Sequence, residues 1–488
     1  MLPLLLVACT GDKTDDTGSA APVGFPDDFK WGTAVAGFQV EAGCPTVDPA
    51  ECEDRASDWY QWVTDPELIA EEGTYLAGWP MASAPGHYEL YEQDLALARD
   101  ELGNNAFRTS LEWSRLFPDG AAEAATTVEE LDAYADPVAR AHYRAYLEAI
   151  RDAGLTPLVT LNHYTLPLWI HDGKACHADL DTCEDRGWVD LDRIKPAIAL
   201  YSGWCAAEYG DVVDLWGTEN EPLAIVLAGY LLPSADRTNP PGVAEPDVAF
   251  AVFFNLIEGH AAMYDAVHAH DGADADGDGE PASVGLVSNL AATRPLDEDE
   301  PLDVRGAEHL NYVYNELFLN GAILGELDRD VDGVAEESRA DLAGRMDWLG
   351  VNYYTRITVR GLEGPLVAGY PLTDFYPEVF WEEYADGLYD VVELGASYGV
   401  PVIVTENGTQ PTDESGETYL RPHLAALERA VNDGIDVRGY FYWSLMDNYE
   451  WNHGMDIRMG MYEVDVDTKA RTRRAIADTY AEIVAGGP

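Results

Sequence analysis

Pro401-Val-Ile-Val-Thr-Glu-Asn-Gly408 is the stretch whose reading decides the fold. Val402, Ile403 and Val404 follow one another without a polar residue between them, which is the pattern of a strand buried on both faces. The run then stops abruptly in a carboxylate, an amide and a glycine. Trp216-Gly-Thr-Glu-Asn-Glu-Pro222 closes another run in the same way, with Glu221 set before a proline. Working outward, eight such runs appear, near Phe29–Phe38, Asn105–Trp113, Thr156–His163, Val213–Glu221, Ala282–Asn289, Met346–Tyr354, Val400–Asn407 and Val437–Ser444. Amphipathic helical patterns intervene, among them Ala139–Asp152, Pro196–Glu208, Val248–His268, Asn311–Leu319 and Arg421–Asp433. Alternating strand and helix implies a parallel sheet. Eight repeats imply an α/β fold, a single (β/α)8 TIM barrel over residues 25–486. Functional groups of such barrels sit at the carboxyl ends of the strands, where runs four and seven carry Glu221 and Glu406. The long, aromatic and Gly/Pro-rich βα segments 40–100 and 360–395 are expected to shape the site.

The 488-residue chain carries 89 acidic and 29 basic side chains, a formal charge of -60. A surface of that sign repels nucleic acid and anionic lipid and argues against phosphorylated substrates. Met1-Leu-Pro-Leu-Leu-Leu-Val-Ala-Cys9 is apolar and too short to span a bilayer. It resembles a bacterial lipoprotein signal, with Cys9 as the lipidated residue, residues 1–8 removed and residues 9–24 as a flexible tether. The expectation is an exported protein, lipid-anchored to a bacterial membrane in the cell envelope or on the extracellular face, and touching membrane only through that anchor. Cys44 and Cys52, and Cys176 and Cys183, are close pairs in polar segments, where an oxidising compartment allows disulfides. Cys205 falls in an apolar helical pattern and is expected to be a buried thiol.

Two acidic stretches, Asp274-Ala-Asp-Gly-Asp-Gly279 and Asp328-Arg-Asp-Val-Asp-Gly333, start like calcium loops, with carboxylates at alternate positions before a glycine. Position twelve is Gly285 in the first and Arg339 in the second, so both read as solvated acidic turns. No metal and no cofactor is expected.

Two carboxylates held across a sugar ring are the minimum equipment for hydrolysing a glycosidic bond. Further motifs occur in order along the barrel pattern: Phe29-Lys-Trp-Gly-Thr-Ala-Val-Ala-Gly-Phe-Gln-Val-Glu41, Phe107-Arg-Thr-Ser-Leu-Glu-Trp-Ser-Arg-Leu-Phe-Pro118, Thr160-Leu-Asn-His163, Asn220-Glu-Pro222, Asn352-Tyr-Tyr354, Thr405-Glu-Asn-Gly408 and Tyr442-Trp-Ser-Leu-Met-Asp-Asn-Tyr-Glu-Trp451. Together they resemble family 1 of the glycoside hydrolases, the retaining β-glucosidases and β-galactosidases, with an archaeal cast. The resemblance implies an exo-acting β-glycosidase that releases single sugars from small β-glycosides or oligosaccharides through a covalent glycosyl-enzyme. A transglycosidase would use the same residues, and a surface carbohydrate-binding protein is the alternative of a different class.

The resemblance also implies roles. Glu406 would be the nucleophile and Glu221 the acid/base. Arg108 and Tyr354 would support Glu406, Asn220 would face the sugar 2-hydroxyl, and Asn352 would support Glu221. Gln39, His163, Glu450 and Trp451 would bind hydroxyls, with Trp443 as the stacking floor. Three positions depart from the family pattern: Glu219 replaces an apolar residue, Tyr164 a tryptophan and Met459 a phenylalanine. Glu219, a third carboxylate beside Glu221, would either raise the pKa of one of the catalytic groups or pair with a cation, and the sequence leaves that choice open.

Overall fold

A computed structural model describes residues 24–367, 370–375 and 382–486 of the chain. The expected signal run, Cys9 and all but the last residue of the expected tether fall outside those residues.

Eight parallel strands form a closed ring: β1 (Lys30–Ala34), β2 (Ala106–Ser110), β3 (Thr156–Asn162), β4 (Leu215–Asn220), β5 (Ser283–Pro295), β6 (Trp348–Val367), β7 (Val402–Asn407) and β8 (Val437–Trp443). Each pairs with its sequence neighbours, and the Lys30↔Gly439 register joins β1 to β8. Six of the expected runs contain a whole strand, while β5 and β6 start inside theirs and run on to Pro295 and Val367. A principal helix follows each: α1 (His87–Ala96), α2 (Pro137–Asp152), α3 (Leu191–Tyr209), α4 (Pro246–His270), α5 (Pro301–Asn311), α6 (Asp386–Ala396), α7 (Arg421–Asn432) and α8 (Ala475–Val484). The expected helix at 311–319 is the middle of a longer helical run, which starts at Pro301 and continues in wide turns to Leu324.

The local causes are conventional. In α2, Asp136 accepts from the amides of Val138 and Ala139, Pro137 occupies the first turn, and Ala139, Tyr143, Tyr146, Leu147 and Ile150 form the buried stripe. Inside the barrel, every strand contributes to a small apolar cluster: Ala34, Ala106, Leu158, Leu215, Val287, Trp348, Ile403 and, from β8, Phe441 and Trp443. This packed layer is the floor beneath the strands' carboxyl ends. A larger apolar layer fills the space between strands and helices.

The long segment after β1 folds into short helices, including Pro49–Cys52 and Asp58–Thr64. Cys44 and Cys52 are joined there, as are Cys176 and Cys183 after β3, while Cys205 is a buried free thiol. Arg115 anchors the first of these loops, pairing with Glu41 at 2.8 Å and donating to the Cys52 carbonyl at 2.9 Å.

Candidate active site

Glu406 and Glu221 open into one cleft of about 520 Å³ at the carboxyl ends of the strands. Strict alternation from the inward Ile403 would not turn Glu406 into it. In β7 the register slips between Val404 and Glu406, so Thr405 and Glu406 both turn inward: Thr405 donates to Asn352 at 2.7 Å and Glu406 meets Arg108. In β4 the slip lies between Gly217 and Asn220. Asn220 enters the barrel and Glu219 leaves it. Bulges of this kind re-aim side chains beside active sites.

Glu406 is 4% exposed and held by two donors. Arg108 Nη1 reaches Oε1 and the Tyr354 hydroxyl reaches Oε2, each at 2.6 Å. Burial pushes the Glu406 carboxyl up to about 7, the two donors oppose that rise, and the charge of Glu221 adds to it. Burial and then the Glu406 charge keep the Tyr354 phenol protonated, so it is the donor.

Glu221 sits one residue past β4 with φ 48° and ψ 60°, in the left-handed region, where a non-glycine costs about 1–3 kcal/mol. Its amide donates to the Val287 carbonyl at 2.8 Å, and Pro222 starts a helical turn directly after it. Asn352 donates to Oε1 at 2.8 Å and the Tyr164 hydroxyl donates to Oε2. Among the described residues six non-glycines have positive φ, and three of them (Tyr164, Glu221 and Trp451) line this cleft. A chain of hydrogen bonds links the two carboxylates. Arg108 donates to Glu406 and, at 2.7 Å, to Asn220, while Asn352 donates to Asn220 at 3.2 Å and to Glu221.

The other expected residues gather on one side. Gln39 donates to Glu450 at 2.9 Å and to Asn448 at 3.0 Å. His163 stacks between Trp443 and Trp451, with ring centres 5.9 Å from each. Burial, followed by the charges of Arg108 and Arg237, keeps His163 neutral. Gln39 Oε1 and His163 Nδ1 are buried without a protein partner. Such orphans are costly unless a ligand satisfies them. The sequence reading missed Arg237. It donates to Glu450 at 3.2 Å and covers the rings of Tyr164 and Trp451 at 5.2 and 5.4 Å. It belongs to a loop with no motif, and a lone arginine in so acidic a chain was the one available signal. Burial raises Glu450, and Arg237 opposes that rise. Met459 lines the cleft as well.

Glu219 behaves otherwise than expected. Its carboxyl lies outside the barrel wall, against α4 and Trp188: a Cβ added at Gly259 would meet the Trp188 ring at 2.5 Å and Glu219 Oε1 at 2.9 Å. Among the described residues neither oxygen has a hydrogen-bond partner, and burial alone raises its carboxyl well above the ordinary value. Neither reading of Glu219 is met: the bulge in β4 puts the sheet between its carboxyl and the cleft, and among the described residues no cation pairs with it.

The family profile described as glycosyl hydrolase family 1 matches residues 22–487. A β-galactosidase of Pyrococcus woesei is 36% identical over 94% of this chain and 97% of its own. One of Saccharolobus solfataricus is 33% identical over 95% of each. The crystal structure of the β-glycosidase from Thermosphaera aggregans superposes with a TM-score of 0.83 at 30% identity, covering 95% of this chain and 98% of that one. The expectation of a protein exported and lipid-anchored to a bacterial membrane is overturned by these relatives, which are archaeal. Among the described residues no helix is long and apolar enough to cross a membrane.

Proposed function

The chain belongs to glycosyl hydrolase family 1 and is a retaining β-glycosidase, and from that premise we propose how its own residues divide the work. Glu406 is the nucleophile and Glu221 the acid/base. The observation that carries this division is the unequal set of donors. Glu406 receives a guanidinium N–H and a phenol O–H, both at 2.6 Å. Glu221 receives an amide N–H and a phenol O–H, and among the described residues no cation pairs with it. Two carboxylates in one cleft resist double ionisation and titrate as a pair. The positive charge of Arg108 opposes the rise of Glu406 and so favours its ionised, attacking form.

In the first step Glu406 attacks the anomeric carbon while Glu221 protonates the departing oxygen. In the second, Glu221 takes a proton from water, which displaces Glu406. Asn220, held by Arg108 and Asn352, presents its amide beside the reacting centre. Gln39, His163, Glu450 and Trp451 bind the hydroxyls of one terminal sugar over Trp443, which favours exo action. The unpartnered Gln39 Oε1 and His163 Nδ1 support that placement. The relatives named as β-galactosidases and β-glucosidases favour glucosides and galactosides as substrates. A carbohydrate-binding role without catalysis is disfavoured by the presence of both glutamates in one cleft.

The test is a rate panel of nitrophenyl β-glycosides with wild type and Glu406→Gln. Hydrolysis with retained anomeric configuration, abolished in the variant while sugar binding survives, is the expected result. A Glu406→Gln variant as active as wild type would refute the assignment.

A further inference from the structure

We propose that Asp328-Arg-Asp-Val-Asp-Gly-Val-Ala-Glu336 is a calcium-class cation site. It lies between the helical run that ends at Leu324 and β6. Its neck is closed by a two-residue antiparallel pairing, Glu326↔Ser338 and Leu327↔Glu337. Asp328, Asp330, Asp332 and Glu336 each bring one carboxylate oxygen to within 4.8 Å of the others.

An acidic cluster alone could be a solvated turn. The independent observation is Asp328, which is 1% exposed. Its Oδ2 accepts from the Tyr312 hydroxyl and the Gly333 amide, both at 2.7 Å. Among the described residues its Oδ1 is buried with no partner. A buried carboxylate oxygen without a donor carries its full desolvation cost, and a cation among the four carboxylates would remove it. The nearby cations of the chain are committed elsewhere: Arg339 pairs with Glu258 at 2.9 Å and Asp341 at 2.7 Å, and Arg329 with Glu337 at 2.9 Å.

The donor set points to the ion class. Four carboxylates without histidine or cysteine suit a hard cation. Carboxylates at positions one, three and five, a glycine at six and an acidic residue at nine follow the calcium-loop order. Position twelve is Arg339, which weighed against this reading in the sequence, but Glu336 at position nine joins the cluster. Its other side is anchored, Oε2 accepting from the Arg329 amide at 2.7 Å. Gly333, with φ 89°, supplies the turn. The sister cluster of Asp214, Asp274 and Asp276 lacks the decisive feature. Asp214 accepts from the amides of Ala275 and Asp276, and Asp274 from those of Gly277 and Gly279. Among the described residues no oxygen of that cluster is a buried orphan.

The site has a route to the cleft. Tyr312, which holds Asp328, shares a helical turn with Tyr314, which lines the cleft and accepts from Asn289 at 3.0 Å. A bound cation braces the turn that carries this wall.

The experiment uses the full chain after chelator treatment. Thermal midpoints are read against calcium chloride and against sodium chloride of equal ionic strength. Terbium luminescence excited through tyrosine serves as a second readout, since Tyr312 adjoins the cluster. Calcium is expected to raise the midpoint by several degrees, increasing with the logarithm of its concentration once the site fills. The pair Asp330→Asn and Glu336→Gln, both at exposed positions, is expected to abolish the calcium-dependent rise and the terbium signal. Asp276→Asn is expected to keep both. No rise beyond that in sodium chloride, or a rise that survives Asp330→Asn with Glu336→Gln, would overturn the proposal.

Discussion

Arg108 Nη1 lies 2.6 Å from Glu406 Oε1, a fully buried guanidinium against a carboxylate that is 4% exposed. Desolvation makes this pair costly to build, and removing one partner leaves the other charge stranded. The same guanidinium also donates to Asn220 Oδ1 at 2.7 Å, so one side chain orients the nucleophile and the amide beside it.

Arg108→Lys is consequently not conservative, since an ammonium cannot reproduce the two-pronged fork. It is expected to lower kcat/KM for a nitrophenyl glycoside by about a hundredfold, or ~2.7 kcal/mol. Because Arg108 opposes the rise of Glu406, weakening it also moves the acid limb of the pH profile upward. Steady-state kinetics across pH reads both effects. An unchanged limb would separate Arg108 from the nucleophile.

The acid limb itself reports Glu406. A nucleophile must be ionised, so activity falls as pH drops through its pKa, which burial and the Glu221 charge push from 4.5 up to about 7. The kcat/KM profile should therefore turn near neutrality. Glu221→Gln removes one cause of the rise. On a dinitrophenyl glycoside, whose leaving group needs no acid, that variant should turn at lower pH than wild type.

Glu219 gives a stability prediction with a definite sign. Its folded-state carboxyl is raised, so its contribution is fully present below the unfolded value and is lost as pH rises towards the folded one. Glu219→Gln, which cannot ionise, should melt higher than wild type at pH 8, by roughly 1 °C per kcal/mol in a barrel of this size. The gap should close by pH 4. Calorimetry at the two pH values decides it, and a gap independent of pH would mean that the carboxyl is not desolvated.

Arg237 touches the sugar clamp but neither catalytic glutamate. Arg237→Met should raise KM about tenfold, ~1.4 kcal/mol, with kcat changed by less than about threefold. A drop in kcat with KM unchanged would place Arg237 in the chemical step instead.

The barrel was legible because its strands are buried on both faces, so Leu158-Val-Thr-Leu161 and Pro401-Val-Ile-Val404 declare themselves without any partner in view. The cleft residues were legible because each borders a strand end in a recognisable order. Arg237 was not, since it reaches Glu450 from a loop whose path depends on packing far away in sequence. The archaeal relatives displaced the expectation of an anchor in a bacterial membrane, which rested on a few apolar residues before Cys9.

By itself the sequence determined the eight strand-and-helix units and the two glutamates that end the fourth and seventh strands, because burial and chain breaking are written in local residue order. Only the tertiary structure decided which side of the wall each carboxylate faces. The slips in β4 and β7 break strict alternation, so Glu219 points out to Gly259 while Asn220 and Glu406 point in. Such a slip is a property of the paired strands and appears in neither alone. The same holds for Asp328, whose buried and unpartnered oxygen exists only once Tyr312 and the loop have closed around it.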